Sequence, residues 1–338
     1  MDVPTTTETP ALVTLSEVEK VISLYLKETD RQPATRDAYR KAVTAFFRWV
    51  ESTGRTVPGL TNADVIAYKE HLAKRKLSTL TIAAYINSVR NFYAWAEAAG
   101  ICRNIAARVT LPKRKQEFRR RPLSVSKAAE LLENTASTAS LRDFAIINLM
   151  LRTGLRCVEV VRANVGDIQH RGEQNVRVLL VQGKGHTEKD DFVVLDEAAF
   201  EPIRKYLATR KGATAAAPLF ASEAFHTAKE CNHQTEHGET LADYDPRRLS
   251  TRTVSAVVKR SLQAVGLDSR EFTAHSLRHT AGTNILRAGG TLVQAQLMLR
   301  HANINTTEIY TRMDLKDSRL TENSGEVLLS RLYADALA

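Results

Sequence analysis

Cysteine is scarce in this 338-residue chain: Cys102, Cys157 and Cys231 are odd in number and far apart. That excludes a disulfide framework and fits a reducing compartment, so a cytoplasmic protein is expected. Long apolar runs are also missing. No stretch approaches the about 18 consecutive apolar residues that a bilayer span requires, which leaves no membrane partner. The opening MDVPTTTETP lacks a basic start and an apolar run, so no secretory signal is legible. Neither an internal repeat nor a coiled-coil heptad occurs. Apolar material is plentiful, at 43% hydrophobic against 25% charged, so real cores can form. The length suits two domains better than one.

The net charge of +10 is unevenly spread. Residues 1–112 carry +4, residues 113–122 carry +5 and residues 123–338 only +1. The ten-residue run KRKQEFRRRP therefore holds half of the excess, through Lys113, Arg114, Lys115, Arg119, Arg120 and Arg121. Pro112 and Pro122 bracket it and disfavour helix, and like charges extend it. It reads as a linker that lies along a polyanion, and nucleic acid is the expected partner.

The block before the linker, residues 14–112, follows a flexible stretch of residues 1–13 and has helical periodicity throughout. Val18, Val21, Ile22, Tyr25 and Leu26 mark a first helix. Thr35 is placed to cap a second, which carries Tyr39, Phe46, Phe47 and Val50 on one face and stops at Gly54. Thr61 with Asp64 resembles an N-terminal box for a third helix. Ser78 or Thr79 opens a fourth, which turns Ile82, Ile86, Val89, Phe92 and Tyr93 inward and ends at Gly100. Four such helices make a bundle with an aromatic core. Lys74, Arg75, Lys76 and Arg90 stay outside and can meet phosphates.

The block from residue 123 to 315 mixes classes. Helices are expected from Ser124, over Leu141–Leu151, and around residues 198–208, 251–264, 276–287 and 292–299. Val176–Gly185 reads as a strand that enters a glycine-flanked turn, and Asp191–Leu195 as its return. Residues 213–249 are polar and irregular, and read as an insertion. It holds His226, Cys231, His233 and His237, but their spacing matches no standard zinc site, so no metal is expected. Residues 316–338 carry an amphipathic tail pattern through Val327, Leu328, Leu332 and Tyr333.

Four segments of this block become informative together. RTGLRCVEV holds Arg156 and Glu159; Gly183-Lys184-Gly185 puts Lys184 at a hairpin tip; HSLRHT holds His275 and Arg278 at i and i+3; LRHANINTTEIY places His301 nine residues before Tyr310. The order Arg, Lys, His-x-x-Arg, His, Tyr resembles the catalytic signature of the tyrosine recombinase (phage integrase) family. The S-x-x-T and A-x-x-x-F-F-x-W segments of the first block are similar to that family's core-binding domain, so the resemblance runs over about residues 14–315. It implies a mainly α protein with a small β-sheet: an all-helical, SAM-like N-terminal domain and an α+β catalytic domain in a C-shaped DNA clamp. It further implies double-stranded DNA with an inverted-repeat core site, a homodimer on each site and a homotetramer in synapsis. The apolar tail pattern of residues 316–338 suits a helix that either docks on a neighbouring protomer or packs on its own domain.

The chemistry explains these residue types. A tyrosine oxygen that attacks phosphorus conserves the phosphodiester energy, so no nucleotide, metal or other cofactor is called for. Arg156 and Arg278 suit the charge that develops on the phosphorane oxygens. Lys184 suits a general acid for the leaving 5′ oxygen, His275 a proton acceptor for the Tyr310 hydroxyl, and His301 a hydrogen-bond donor to the phosphate. Glu159 suits an acceptor that holds the first arginine or a histidine. The expected activity is strand exchange through a 3′-phosphotyrosyl intermediate and a Holliday junction, for mobile-element integration or excision or for replicon dimer resolution. Because no arm-binding domain is legible before residue 14, a simple Xer-like or transposon-type member is expected. A catalytically silent DNA-binding protein on the same scaffold and a type IB topoisomerase-like enzyme are the alternatives. One departure stands out: the family usually has glycine where this chain has Arg300. Arginine there either bears the strain of a left-handed backbone or adds a phosphate contact.

Overall fold

The computed structural model describes residues 15–29, 33–112, 121–183, 188–222 and 245–300. The chain divides into two compact units, Met1–Glu117 and Phe118–Ala338.

The described part of the first unit is helical, with α1 (Leu15–Glu28), α2 (Pro33–Ser52), α3 (Asn62–Lys74) and α4 (Thr79–Ala98). Helix α2 starts earlier than the sequence implies, so Thr35 lies inside the first turn and is not its cap. Pro33 opens the helix because its fixed φ is helical and it has no N–H to leave unpaired. Asp64 accepts a hydrogen bond from the Thr61 backbone N–H at 2.8 Å, and the Ser78 hydroxyl accepts from the Thr81 N–H at 3.1 Å, which fixes the starts of α3 and α4. The inward stripes meet in an aromatic core. Tyr25 and Phe92 lie edge-on at 5.5 Å, Phe46 and Tyr68 at 5.1 Å. Burial pushes the Tyr68 and Tyr93 phenols far above their ordinary range, as packing residues should be.

In the second unit, α5 (Val125–Thr138) and α6 (Leu141–Thr153) lead through the short α7 (Cys157–Arg162) to a three-stranded antiparallel sheet in the order β1 (Ile168–Arg171), β2 (Val176–Val181), β3 (Asp191–Val194). Helices α8 (Glu197–Ala208), α9 (Thr251–Ala264), α10 (Ala274–Arg287) and α11 (Leu292–Leu299) follow. Strand β1 was not expected: IQHR is largely exposed and carries no apolar alternation. The ends of the supposed polar insertion belong to the core. Leu219, Phe220, Arg248 and Leu249 are buried, and Ala221 bridges to Arg248. The Arg248 guanidinium is fully buried and donates to the Val161 carbonyl at 2.8 Å and the Asn164 side chain at 2.7 Å, so it supports the chain that leaves α7. His226, Cys231, His233 and His237 lie outside the described residues, as do the tail and the first 13 residues.

Candidate active site

The site begins where α6 stops. Gly154 is left-handed (φ 65°) and caps that helix. A Cβ at this position would run into the Leu299 side chain, so glycine is favoured by both backbone and space. Two residues on, Arg156 opens α7, and Glu159 folds back to it. The Glu159 carboxylate accepts the Arg156 backbone N–H and the Arg156 Nη1, each at 2.7 Å. Glu159 is 2% exposed, whereas the Arg156 side chain keeps 28% of its surface open to solvent.

Arg278 reaches the same spot from α10. It is buried, and it donates from Nη1 to the Gly154 carbonyl at 2.6 Å and from Nη2 to the Leu299 carbonyl. Its Nη1 stands 4.0 Å from Glu159 Oε2. A third guanidinium completes the group. Arg300, at the end of α11, donates to Glu159 Oε2 at 2.8 Å. Burial pushes the Glu159 carboxyl up; Arg300, then the Arg156 N–H and guanidinium, outweigh it and hold the carboxyl below its ordinary value. Arg300 does adopt the left-handed backbone (φ 53°), and its side chain is turned inward to Glu159.

Sequence-expected residues are thus brought together in part. Arg156, Glu159 and Arg278 form one cluster. His275 lies at the exposed start of α10, one turn before Arg278. Lys184, His301 and Tyr310 lie outside the described residues, whereas Gly183 and Arg300, which directly precede the first two, are described. Gly183, just before Lys184, gives its carbonyl to Arg162 Nη1 at 3.1 Å, and Lys189, beyond the turn, pairs with Asp167. The two stems of the β2–β3 hairpin are therefore tied to the last residue of α7 and to Asp167 just beyond it. Tyr206 is a packing residue: it is buried, and its hydroxyl accepts the Ala221 N–H at 3.1 Å.

Lys74, Arg75 and Lys76 are exposed at the end of α3, with Lys76 in a left-handed conformation (φ 55°). Arg75 shares a cleft between α2 and α3 with Arg40, Lys41 and Arg48, three cations that the sequence pattern did not single out. Arg90 lines a different cleft, with Asn87, Asn91 and Asn104. Of the linker cations only Arg121 is described, and it pairs on the surface with Glu271 at 3.3 Å. Lys113, Arg114, Lys115, Arg119 and Arg120 lie outside the described residues. No three His, Cys, Asp or Glu residues gather as a metal site among the described residues, and no described helix is long and apolar enough to cross a membrane.

A buried carboxylate thus gathers three guanidiniums, groups whose chemistry pairs with anions such as phosphate. Residues 121–316 match the model of the phage integrase family, and residues 23–100 match the phage integrase N-terminal SAM-like domain. The chain belongs to the phage integrase family, whose tyrosine recombinases cut and rejoin DNA. It is 32% identical to tyrosine recombinase XerC of Rhodospirillum centenum, over 83% of this chain and 77% of that protein. It is 30% identical to tyrosine recombinase XerC of Corynebacterium glutamicum, over 85% and 83% respectively. Its fold is similar to that of a lambda integrase tetramer bound to a Holliday junction, with a TM-score of 0.65 at 17% identity over 89% of this chain and 77% of that one.

Proposed function

We propose that this chain carries out site-specific recombination by attack of Tyr310 on a DNA phosphodiester, giving a 3′-phosphotyrosyl intermediate and a free 5′ hydroxyl. The observation that carries this reading is the convergence of Arg156 and Arg278 on one buried carboxylate from segments 122 residues apart in the chain. Guanidiniums stay charged at any physiological pH, and a preorganised pair stabilises charge where it develops on the phosphorane oxygens. Arg156 keeps solvent-exposed surface beside Glu159 and can turn it to the phosphate. Lys184 protonates the leaving 5′ oxygen from a hairpin whose stems Arg162 and Lys189 hold. His275 takes the phenol proton, and His301 donates to the scissile phosphate. The reverse attack by a 5′ hydroxyl from a partner strand reseals the DNA, first to a Holliday junction and then to recombinant duplexes.

The N-terminal unit serves as the core-binding domain, and residues 113–122 follow the phosphate backbone between it and the catalytic domain. The Arg40, Lys41, Arg48 and Arg75 cleft supplies phosphate contacts there. Protomers pair on an inverted-repeat core site and synapse as a tetramer, as the lambda integrase assembly does on its junction. Its role is resolution of replicon dimers or excision and integration of a mobile element.

A duplex nicked near the cleavage point traps the covalent intermediate. The wild-type protein should form an adduct whose modified peptide contains Tyr310, and Tyr310→Phe should bind DNA but form none. Recombinant products separate this activity from simple relaxation by a topoisomerase. A wild-type protein that binds DNA without forming any adduct would identify a silent DNA-binding protein.

A further inference from the structure

We propose that Arg300 is a positioning residue for strand cleavage: it occupies the second oxygen of Glu159 and so keeps Arg278 available for the phosphate. This rests on the recombinase reading above and goes beyond it, because that chemistry assigns Arg300 no part.

Arginine at this position is unfavourable locally. The left-handed C-cap of a helix is a place for glycine, and L side chains resist its backbone conformation. A solvent-facing arginine would gain nothing in return. Here, however, the side chain is only 6% exposed and is committed inside the protein. Nη2 donates to Glu159 Oε2 at 2.8 Å, across 141 residues of sequence, and Nη1 donates to the Met298 carbonyl at 2.9 Å. On its other side Nε lies 3.9 Å from Asp191 of β3. The residue thus ties the end of α11 to α7 and to the sheet.

The oxygen Arg300 occupies is contested. Glu159 Oε1 holds Arg156 Nη1, whereas Oε2 takes the Arg156 N–H and Arg300. Arg278 Nη1 waits at 4.0 Å, beyond hydrogen-bond reach, and is held by the Gly154 carbonyl instead. Were Arg300 removed, Oε2 would present an underused buried charge to its nearest guanidinium. Arg278 would close that gap and turn toward the carboxylate. Arg300 also changes the charge of the pocket. Three guanidiniums outnumber the carboxylates of Glu159 and Asp191 beside them, an excess of positive charge that suits the charge developing on a phosphorane. With glycine at 300 that excess is gone.

Glycine fits the left-handed backbone, so Arg300→Gly tests the side chain without straining the helix end. Adduct formation on the nicked duplex should be measured in a single turnover at saturating DNA, beside DNA affinity. Arg300→Gly should bind within about twofold of wild type yet cleave about 100-fold more slowly, as expected when reacting groups are misplaced. Arg300→Lys should regain part of the rate, since a point charge reaches Glu159 but cannot bridge it to the Met298 carbonyl. In a Glu159→Gln background, Arg300→Gly should add less than about a twofold further loss, because both changes remove one interaction. A purely structural residue would lower thermal stability and leave the saturated rate and this non-additivity untouched. Wild-type cleavage by Arg300→Gly overturns the proposal; if that variant does not fold, a wild-type rate for Arg300→Lys overturns it instead. Failure of the wild-type protein to form an adduct removes the recombinase reading and this one with it, whereas a wild-type adduct with equal variant rates removes this one alone.

Discussion

In the N-terminal unit the interior is filled by aromatic and branched side chains, and Ser88 is its one buried polar residue among those described; the catalytic unit buries Glu159, Asp167, Arg248 and Arg278. An apolar core is non-directional, and neighbours can adjust to a small change within it. A buried ion cluster is different. Its desolvation is offset only while every partner is present, so loss of one member leaves an uncompensated charge. The N-terminal unit is therefore expected to vary in sequence with graded effects. The catalytic unit holds its guanidiniums in place through a network that fails as a whole.

The sharpest way to break this contrast is Glu159→Ala. It should destabilise the catalytic unit by about 3–5 kcal/mol. Single-turnover cleavage should fall by roughly 100-fold or more, through loss of alignment at Arg156. Unfolding followed by probes in each unit, beside adduct formation, checks both. A variant with near-wild-type cleavage would mean that Glu159 organises nothing.

Acid reaches the same carboxylate without mutation. The folded protein holds the Glu159 pKa below its ordinary 4.5, through Arg300 and Arg156 against the opposing effect of burial. Its contribution is therefore complete above pH 4.5 and is lost as pH falls through the lower, folded-state value. Asp64, at the start of α3, is also held low, against burial, by Thr61 and Arg55, but it lies near the surface and contributes less. Denaturant unfolding at neutral pH and at about pH 3.5 should show the larger loss in the catalytic unit. An equal loss in both units would erase the distinction.

The smallest effect is expected from Ile86→Val in the first core, where Ile86 is fully buried. Removal of one methyl group should cost about 0.5–1.5 kcal/mol in that unit and leave the saturated cleavage rate unchanged. A changed rate would show that the N-terminal core communicates with the chemistry.

Much of this was legible beforehand, for reasons that differ by residue. Helical periodicity found α4 and its Ser78 cap because both signals are local. Arg156, Glu159 and Arg278 were found through an ordered pattern of residue types. Strand β1 was missed because an edge strand with exposed side chains leaves no alternation to read. The buried Arg248 was missed because arginine in a polar stretch looks like surface until Val161 and Asn164 supply its partners. The Arg40, Lys41 and Arg48 cleft needed the packing of α2 on α3 before its cations could be grouped. Arg300 was noticed as a departure, but its partner lies 141 residues away, and no local rule could have named it.

Gly154 has a consequence for how this enzyme can diversify. Its carbonyl grips Arg278, its left-handed turn delivers Arg156, and the space a side chain would need is filled by Leu299. In a selection for altered target preference, this position should strongly favour glycine. The cations of the α2–α3 cleft meet no such backbone or packing constraint, so their replacement is expected to leave the fold intact. The molecule thus separates what must stay fixed from what is free to drift.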